Sequence, residues 1–261
     1  QFDDVETGRF FMRIVFDRLE EARPHEAIAA AVGELAKRFS MTYTLRERAT
    51  RKRVLLLVSK FDHCLADLIY RWRIGELPMD IVGIVSNHPR EHIASTDLGE
   101  LPFHHLPITR QTKMEQEAQL WQLVQETQAD LVVLARYMQV LSDGLSAKLL
   151  GRCINIHHSF LPGFKGAKPY HQAHERGVKL IGATAHYVTA DLDEGPIIEQ
   201  DTIRVTHAQS PEDYVSLGRD VEAQVLSRAI HAHINHRVFP NGSRTVVFPA
   251  SPGGYASERM G

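Results

Sequence analysis

The sequence predicts a doubly wound, mainly parallel α/β sheet preceded by a partial α+β unit. Three observations carry that expectation. Short, continuous apolar runs such as Val54-Leu55-Leu56-Leu57-Val58 and Ile81-Val82-Gly83-Ile84-Val85 suit strands buried on both faces. These runs alternate with helical periodicities at the spacing of β-α-β units. A charged stretch at residues 46–53 (RERATRKR) separates this pattern from a different one upstream, and it reads as a solvated connector.

Taken in order, residues 9–16 (RFFMRIVF) are aromatic and β-branched and read as a strand. Residues 24–39 follow as a helix with Ile28, Val32, Leu35, Ala36 and Phe39 on one face, and Pro24 suits its first turn. Residues 41–45 (MTYTL) read as a second strand, completing a β-α-β fragment too small to bury a core alone. After the connector come strands at 54–58, 81–85, 103–106, 130–134 and 152–156, with helices at 64–73 and 113–127. Residues 182–188 and 197–205, joined by the turn 191–196, read as a hairpin added to the sheet. A long amphipathic helix at 211–236 and a last strand at 244–248 close the fold. The expected organisation is a partial domain at 1–46, a linker at 47–53, a catalytic domain at 54–248 and a mobile tail at 249–261.

Composition narrows the function classes. The chain has 261 residues, 43% of them hydrophobic and 24% charged, which suits a globular protein of one large or two modest domains. A formal net charge of −2 supplies no global field for nucleic acid or an anionic membrane. No apolar run is long enough to span a bilayer. The 2 cysteines, Cys64 and Cys153, form no CxxC pair, so neither a disulfide framework nor a zinc ribbon is expected, and a reducing, cytoplasmic setting fits. The acidic start is no signal peptide. It lacks an initiating Met and falls inside strand-like sequence, so a preceding segment is expected.

The densest polar sequence is Asn155-Ile156-His157-His158-Ser159-Phe160-Leu161-Pro162, at the end of an apolar strand. Side chains alternate along a strand, so Asn155 and His157 share a face. An amide donor and an imidazole aimed at one point suit polarising a carbonyl and holding the oxyanion formed on attack. Asp193 lies in the turn DLDEGP, where Gly195-Pro196 narrows the loop, and a carboxylate there can orient water or an imidazole. His186, on the preceding strand, can help hold it. Structural alternatives stand beside each reading: Asp193 as an Asx cap, and chance clustering among 15 histidines. A zinc site from His157, His158 and His186 matches no standard ligand spacing. No Gly-x-Ser-x-Gly elbow is present, and both cysteines lie on apolar elements as small core residues. His171 and His174 are expected on a helix behind the loop.

These residues lie in NIHHSFLPGFKGAKPYHQAHERGVKLIGATAHYVTADLDEGPII, which closely resembles the catalytic half of the formyltetrahydrofolate-using transformylase family. VSKFDHCLADLIYRW, GIVSNHP and VLARYMQVLS resemble its deformylase branch. TGRFFMRIVF resembles the second half of the small ACT ligand-binding domain that precedes the catalytic domain there, so the resemblance spans residues 1 to about 248. It implies a formyltransferase fold and a folate substrate, hydrolysed to tetrahydrofolate and formate for purine synthesis and the one-carbon pool. It implies Asn155, His157 and Asp193 as catalytic residues, with His186 and Ser159 in support. It places the pterin against Met138, Gln139, Val140 and Leu141 and against Thr189, Ala190, Asp191, Leu192 and Gly195. No cofactor or metal beyond the substrate is implied. A homo-oligomer and an amino-acid effector, glycine or methionine, at the ACT part are. The earlier β-α unit of an ACT domain is missing from this sequence.

One physical difference separates the two branches. A transferase must hold a ribose phosphate, and a glycine-rich loop after the first strand lets backbone N–H groups approach it. Here that position reads Ser59-Lys60-Phe61-Asp62-His63-Cys64, without glycine, with a bulky Phe61 and an Asp62 that repels phosphate. Water is therefore expected as the nucleophile. The competing readings are a glycinamide ribonucleotide transferase and a non-catalytic folate or amino-acid sensor.

Overall fold

The structure is a computed structural model that describes residues 1–17, 24–163 and 168–250. The chain divides into two compact units, Gln1–Arg51 and Lys52–Gly261. The expected tail lies, from residue 251 onward, outside the described residues.

In the first unit, β1 (Phe2–Asp4) and β2 (Arg9–Phe11) form an antiparallel hairpin with Phe2 opposite Phe11. Asp4 closes the turn, accepting from Thr7 Oγ1 at 2.7 Å. The helix α1 (His25–Arg38) follows, preceded by Pro24 and buried at Ala36. Two strand expectations are corrected here. β2 ends at Phe11, opposite Phe2 of β1, and Ile14, Val15 and Phe16 are exposed. Residues 41–45 form no strand, and Met41 and Tyr43 are exposed. β composition becomes a strand only where a neighbouring strand completes the ladder. The fragment is therefore a hairpin followed by a helix.

The second unit is built on a seven-stranded sheet. Its strands are β3 (Lys52–Val58), β4 (Met79–Ser86), β5 (Phe103–His105), β6 (Leu131–Leu134), β7 (Cys153–His157), β8 (Leu180–Tyr187) and β9 (Ile197–Arg204), in the spatial order β5-β4-β3-β6-β7-β8-β9. The first five are parallel; β8 runs antiparallel to β7 and β9 antiparallel to β8, so the expected added hairpin is present. Strand order reverses at β3, which opens a crevice at the carboxyl ends of β3 and β6.

Alternation along β3 shows why its sequence is apolar throughout. Val54, Leu56 and Val58 enter one core, with Leu65 and Leu68 of α2 (His63–Arg73) and Val225 and Ile230 of α6 (Pro211–Ile234). Leu55 and Leu57 enter the other, with Leu120 of α3 (Lys113–Glu126) and Leu145 of α4 (Asp143–Lys148). Each wholly buried leucine contributes about 2–3 kcal/mol of transfer free energy. α6 starts at a capping box: Ser210 accepts from Asp213 N, Asp213 accepts from Ser210 N, and Pro211 follows. The last expected strand is β11 (Arg244–Val247), and it pairs with a strand the pattern did not reveal, β10 (Val238–Asn241). Pro240 hides β10 in sequence, since proline is confined to strand edges.

Candidate active site

Asn155 and His157 lie at the carboxyl end of β7. Ile154 and Ile156 point into one core, which leaves Asn155 and His157 on the opposite face. The antiparallel register with β8 sets Asn155 opposite His186 and His157 opposite Thr184. A polar cross-strand set results on that face. His186 Nδ1 donates to the Tyr187 carbonyl at 2.9 Å, so its other nitrogen, Nε2, accepts from Asn155 Nδ2 at 3.2 Å. Burial lowers the His186 pKa, against the opposing pull of the Tyr187 carbonyl and Asp193, consistent with a neutral ring. His186 thereby fixes which end of the Asn155 amide is the donor.

Asp193 reaches this set from the turn between β8 and β9. Its Oδ1 lies 3.2 Å from His157 Nδ1 and 3.8 Å from His186 Nε2. The hydrogen bond from His157 lowers its pKa, more than half-burial raises it, so Asp193 is a carboxylate at neutral pH. Two backbone features place it. Asp193 sits in the left-handed region at φ 57°, which Asp tolerates better than most residues. Gly195 packs so closely that a Cβ there would lie 1.7 Å from Tyr187 O and 3.2 Å from His186 Nδ1. Only glycine lets the turn come down on the strand that carries His186. With His157 Nδ1 committed to Asp193, its Nε2 is buried and has no hydrogen-bond partner among the described residues. That nitrogen is free to exchange a proton with a bound molecule.

The other expected residues occupy varied places. Ser159 is buried, and its hydroxyl donates to Gly163 O at 2.8 Å, bracing the loop. Met138, Val140 and Leu192 are exposed, Gln139 and Thr189 half-buried, and Ala190 and Asp191 exposed, while Leu141 packs into the second core and anchors its loop. That loop is fixed to the one after β3: Ser59 N donates to Arg136 O at 3.2 Å and Met138 N to Ser59 Oγ at 2.9 Å. His171 and His174 lie on α5 (Pro169–Glu175), where His174 is 3.1 Å from Gln209 O. Asp62 is occupied by the hydroxyls of Ser95 and Thr96, each at 2.7 Å. A groove of about 410 Å³ at the amino ends of β6 and β7, lined by Trp121, Asp130 and Arg152, carries no comparable constellation.

Three residues escaped sequence reading. Thr184 Oγ1 donates to Ser159 O at 2.9 Å and accepts from Leu161 N at 3.0 Å, tying the loop after β7 to β8. Glu222 is 1% exposed and 3.2 Å from Arg136 Nε. A charged residue within the apolar face of α6, between Val221 and Val225, was the available signal for it. Ligand atoms of His63, Cys64 and Glu222 lie within 4.8 Å of one another. Arg136 supplies a cation to that carboxylate, and burial holds the Cys64 thiol well above its ordinary range.

The profile of the family described as formyl transferase matches residues 52–230. A formyltetrahydrofolate deformylase from Corynebacterium sp. is 52% identical over 247 residues, covering 95% of this chain and 86% of its own length. The crystal structure of a formyltetrahydrofolate deformylase from Burkholderia mallei superposes with a TM-score of 0.88 at 57% identity, covering 95% of this chain and 87% of that one. A glycinamide ribonucleotide transformylase from Symbiobacterium toebii shares the fold at a TM-score of 0.70 and 27% identity, covering 80% of this chain and 99% of its own.

Proposed function

This chain belongs to the formyltetrahydrofolate deformylases of the formyl transferase family, and from that premise we propose how its residues perform the reaction. It hydrolyses 10-formyltetrahydrofolate to tetrahydrofolate and formate. Water attacks the formyl carbon, the bond from that carbon to the ten-position nitrogen breaks, and the nitrogen gains a proton. Asp193 orients the water and holds the Nδ1 proton of His157. A carboxylate with a lowered pKa is a weak base by itself, so the His157 ring carries the proton and Asp193 stabilises the imidazolium that forms. His157 Nε2 takes a proton from the attacking water, and Asn155 Nδ2, together with Nε2 once it is protonated, donates to the oxyanion. Nε2 then returns the proton to the leaving nitrogen.

The observation that carries this reading is the His157–Asp193 contact at 3.2 Å with the opposite ring nitrogen buried and without a partner among the described residues. The test is formate release with no amine acceptor present. His157→Ala and Asp193→Asn are each expected to lower kcat by about a hundredfold or more. Near-normal turnover in either folded variant refutes the assignments.

The pterin is assigned to the loops carrying Met138, Gln139, Val140 and Leu141 and carrying Thr189, Ala190, Asp191, Leu192 and Gly195. The exposure of Met138, Val140 and Leu192 supports this, because apolar side chains on strand-end loops suit a flat heterocycle. The reaction uses no cofactor besides its substrate, and its formate feeds one-carbon and purine synthesis in the cytoplasm. No helix among the described residues is long and apolar enough to cross a membrane. The first unit is assigned as an ACT-type element that binds glycine or methionine and pairs chains into a homo-oligomer. Exposed Ile14, Val15, Phe16, Met41 and Tyr43 are apolar groups that pairing would cover. A light-scattering mass equal to one chain would end that assignment.

A further inference from the structure

We propose that Ser59, Asn87, Gln116 and Glu117 are positioning residues for the substrate's heterocycle: they fix both ends of the segment from Tyr137 to Ser142 and so set the shape of the pterin slot before the substrate arrives. The inference rests on the pterin assignment above and names what that slot hangs from.

Residues 137–142 link β6 to α4 with neither helix nor strand geometry. Burial alternates along them. Tyr137 and Leu141 enter the second core, Met138 and Val140 are exposed, and Gln139 lies between these extremes. Among the described residues, the backbone N–H and C=O groups of Gln139, Val140 and Leu141 engage no hydrogen-bond partner. A connecting segment without a ladder of its own ordinarily samples many conformations.

Buried polar groups restrain this one at both ends. At the first end, Met138 N donates to Ser59 Oγ at 2.9 Å, and the same hydroxyl donates to Asn87 Oδ1 at 2.6 Å. Ser59 directly follows β3 and Asn87 directly follows β4, so one hydroxyl ties two strand ends to the segment. Beside it, Gln116 Nε2 of α3 donates to Tyr137 OH at 2.9 Å. Burial pushes the Tyr137 phenol up to about 12, so it accepts as a neutral hydroxyl. At the far end, Glu117 of α3 accepts from Ser142 N at 2.8 Å with one carboxylate oxygen and from the Ser142 hydroxyl with the other. Ser142 in turn caps α4, accepting from Leu145 N at 3.3 Å.

The core does not require these anchors. Gln116 and Glu117 are buried on α3 with Leu120 and Val124, where an amide and a carboxylate cost desolvation that apolar residues would not. Apart from Lys113 Nζ at 3.9 Å, the partners of Glu117 belong to the segment's end. The chain enters the segment through Arg136 at a left-handed φ of 64°, a conformation kept by a long side chain where the surroundings over-determine it. The consequence for binding is one of population. Apparent affinity falls in proportion to the fraction of molecules whose slot has its binding shape, so at one-tenth occupancy the apparent Kd rises about tenfold. None of the four anchors is a hydrogen-bond or ion-pair partner of Asn155, His157 or Asp193, so the chemical step keeps its geometry.

The experiment measures acceptor-free formate release and the tetrahydrofolate Kd for the wild type, Ser59→Ala, Glu117→Ala and Glu117→Gln, each checked for fold by a thermal melt. Ser59→Ala and Glu117→Ala are expected to raise KM and Kd about tenfold while kcat stays within about threefold. Glu117→Gln keeps an acceptor oxygen for Ser142 N, so its KM is expected within about threefold of wild type. Damage to the fold alone removes active molecules and lowers apparent kcat with KM unmoved, so the split separates positioning from plain structure. Ser59→Ala deletes a single oxygen and carries the test if Glu117→Ala does not fold. Folded variants with KM within about twofold of wild type, a fall in kcat with KM unmoved, or a Glu117→Gln protein as impaired as Glu117→Ala overturns the proposal. In the wild type, tetrahydrofolate is expected to slow amide exchange at residues 138–141, read by mass spectrometry. Binding without that protection overturns the pterin assignment itself, and this inference falls with it.

Discussion

Replacing Gly195 by alanine tests the site geometry without touching a reacting side chain. The added Cβ would lie 1.7 Å from the Tyr187 carbonyl oxygen, where separations under 3.0 Å are essentially never found. The turn must therefore retreat by at least about 1.3 Å. Asp193 is two residues away on the same turn, and its 3.2 Å contact with His157 opens by a comparable amount. A misplacement of about 1 Å costs about a hundredfold in rate, or roughly 2.7 kcal/mol in the barrier. The assay is acceptor-free formate release, read as kcat, alongside a thermal melt. Gly144→Ala is the control, because its nearest neighbour would be Ser142 Oγ at 4.0 Å. That control is expected to retain full activity. A Gly195→Ala protein with kcat within about threefold of wild type and an unchanged melt would refute the claim that this close approach positions the carboxylate.

Two further outcomes follow from burial. His158 and His233 both fall from an ordinary value of 6.5 to about 4, burial being the main cause in each case, aided by Arg136 and Lys52 respectively. A lowered histidine pKa means that the unfolded chain takes up protons first as pH falls. Their contribution is therefore whole above pH ~6.5 and drains away towards pH ~4, up to about 3 kcal/mol for each. Urea midpoints at pH 7.5, 5.5 and 4.5 should decline in that order; constant midpoints would contradict the burial argument. Burial likewise raises both thiols, Cys64 and Cys153, so a thiol-specific reagent at neutral pH should label neither until denaturant is added. Rapid labelling of the folded protein would show that these sites open.

Local chemistry was readable where one strand decides it. The apolar runs marked β3, β4 and β6, and alternation along β7 put Asn155 and His157 on one face. What the chain does not spell out is which strands meet. The Asn155–His186 contact depends on the antiparallel register of β7 and β8, and the Asp193–His157 contact on the turn beyond it. Residues 12–16 and 41–45 have strand composition but pair with no strand among the described residues, so composition overstated them. Glu222 and Arg136 are 86 positions apart, a distance over which no periodicity can signal a pair.

The left-handed backbone at Asp193 separates two demands that usually coincide. Asparagine accepts that conformation as readily as aspartate, whereas alanine does not. An Asn replacement thus erases the charge and leaves the loop's shape, while Ala disturbs both at once. Mutational drift at this position is funnelled accordingly: the shape filter admits Asp, Asn and Gly, and of these only Asp keeps a negative charge beside His157.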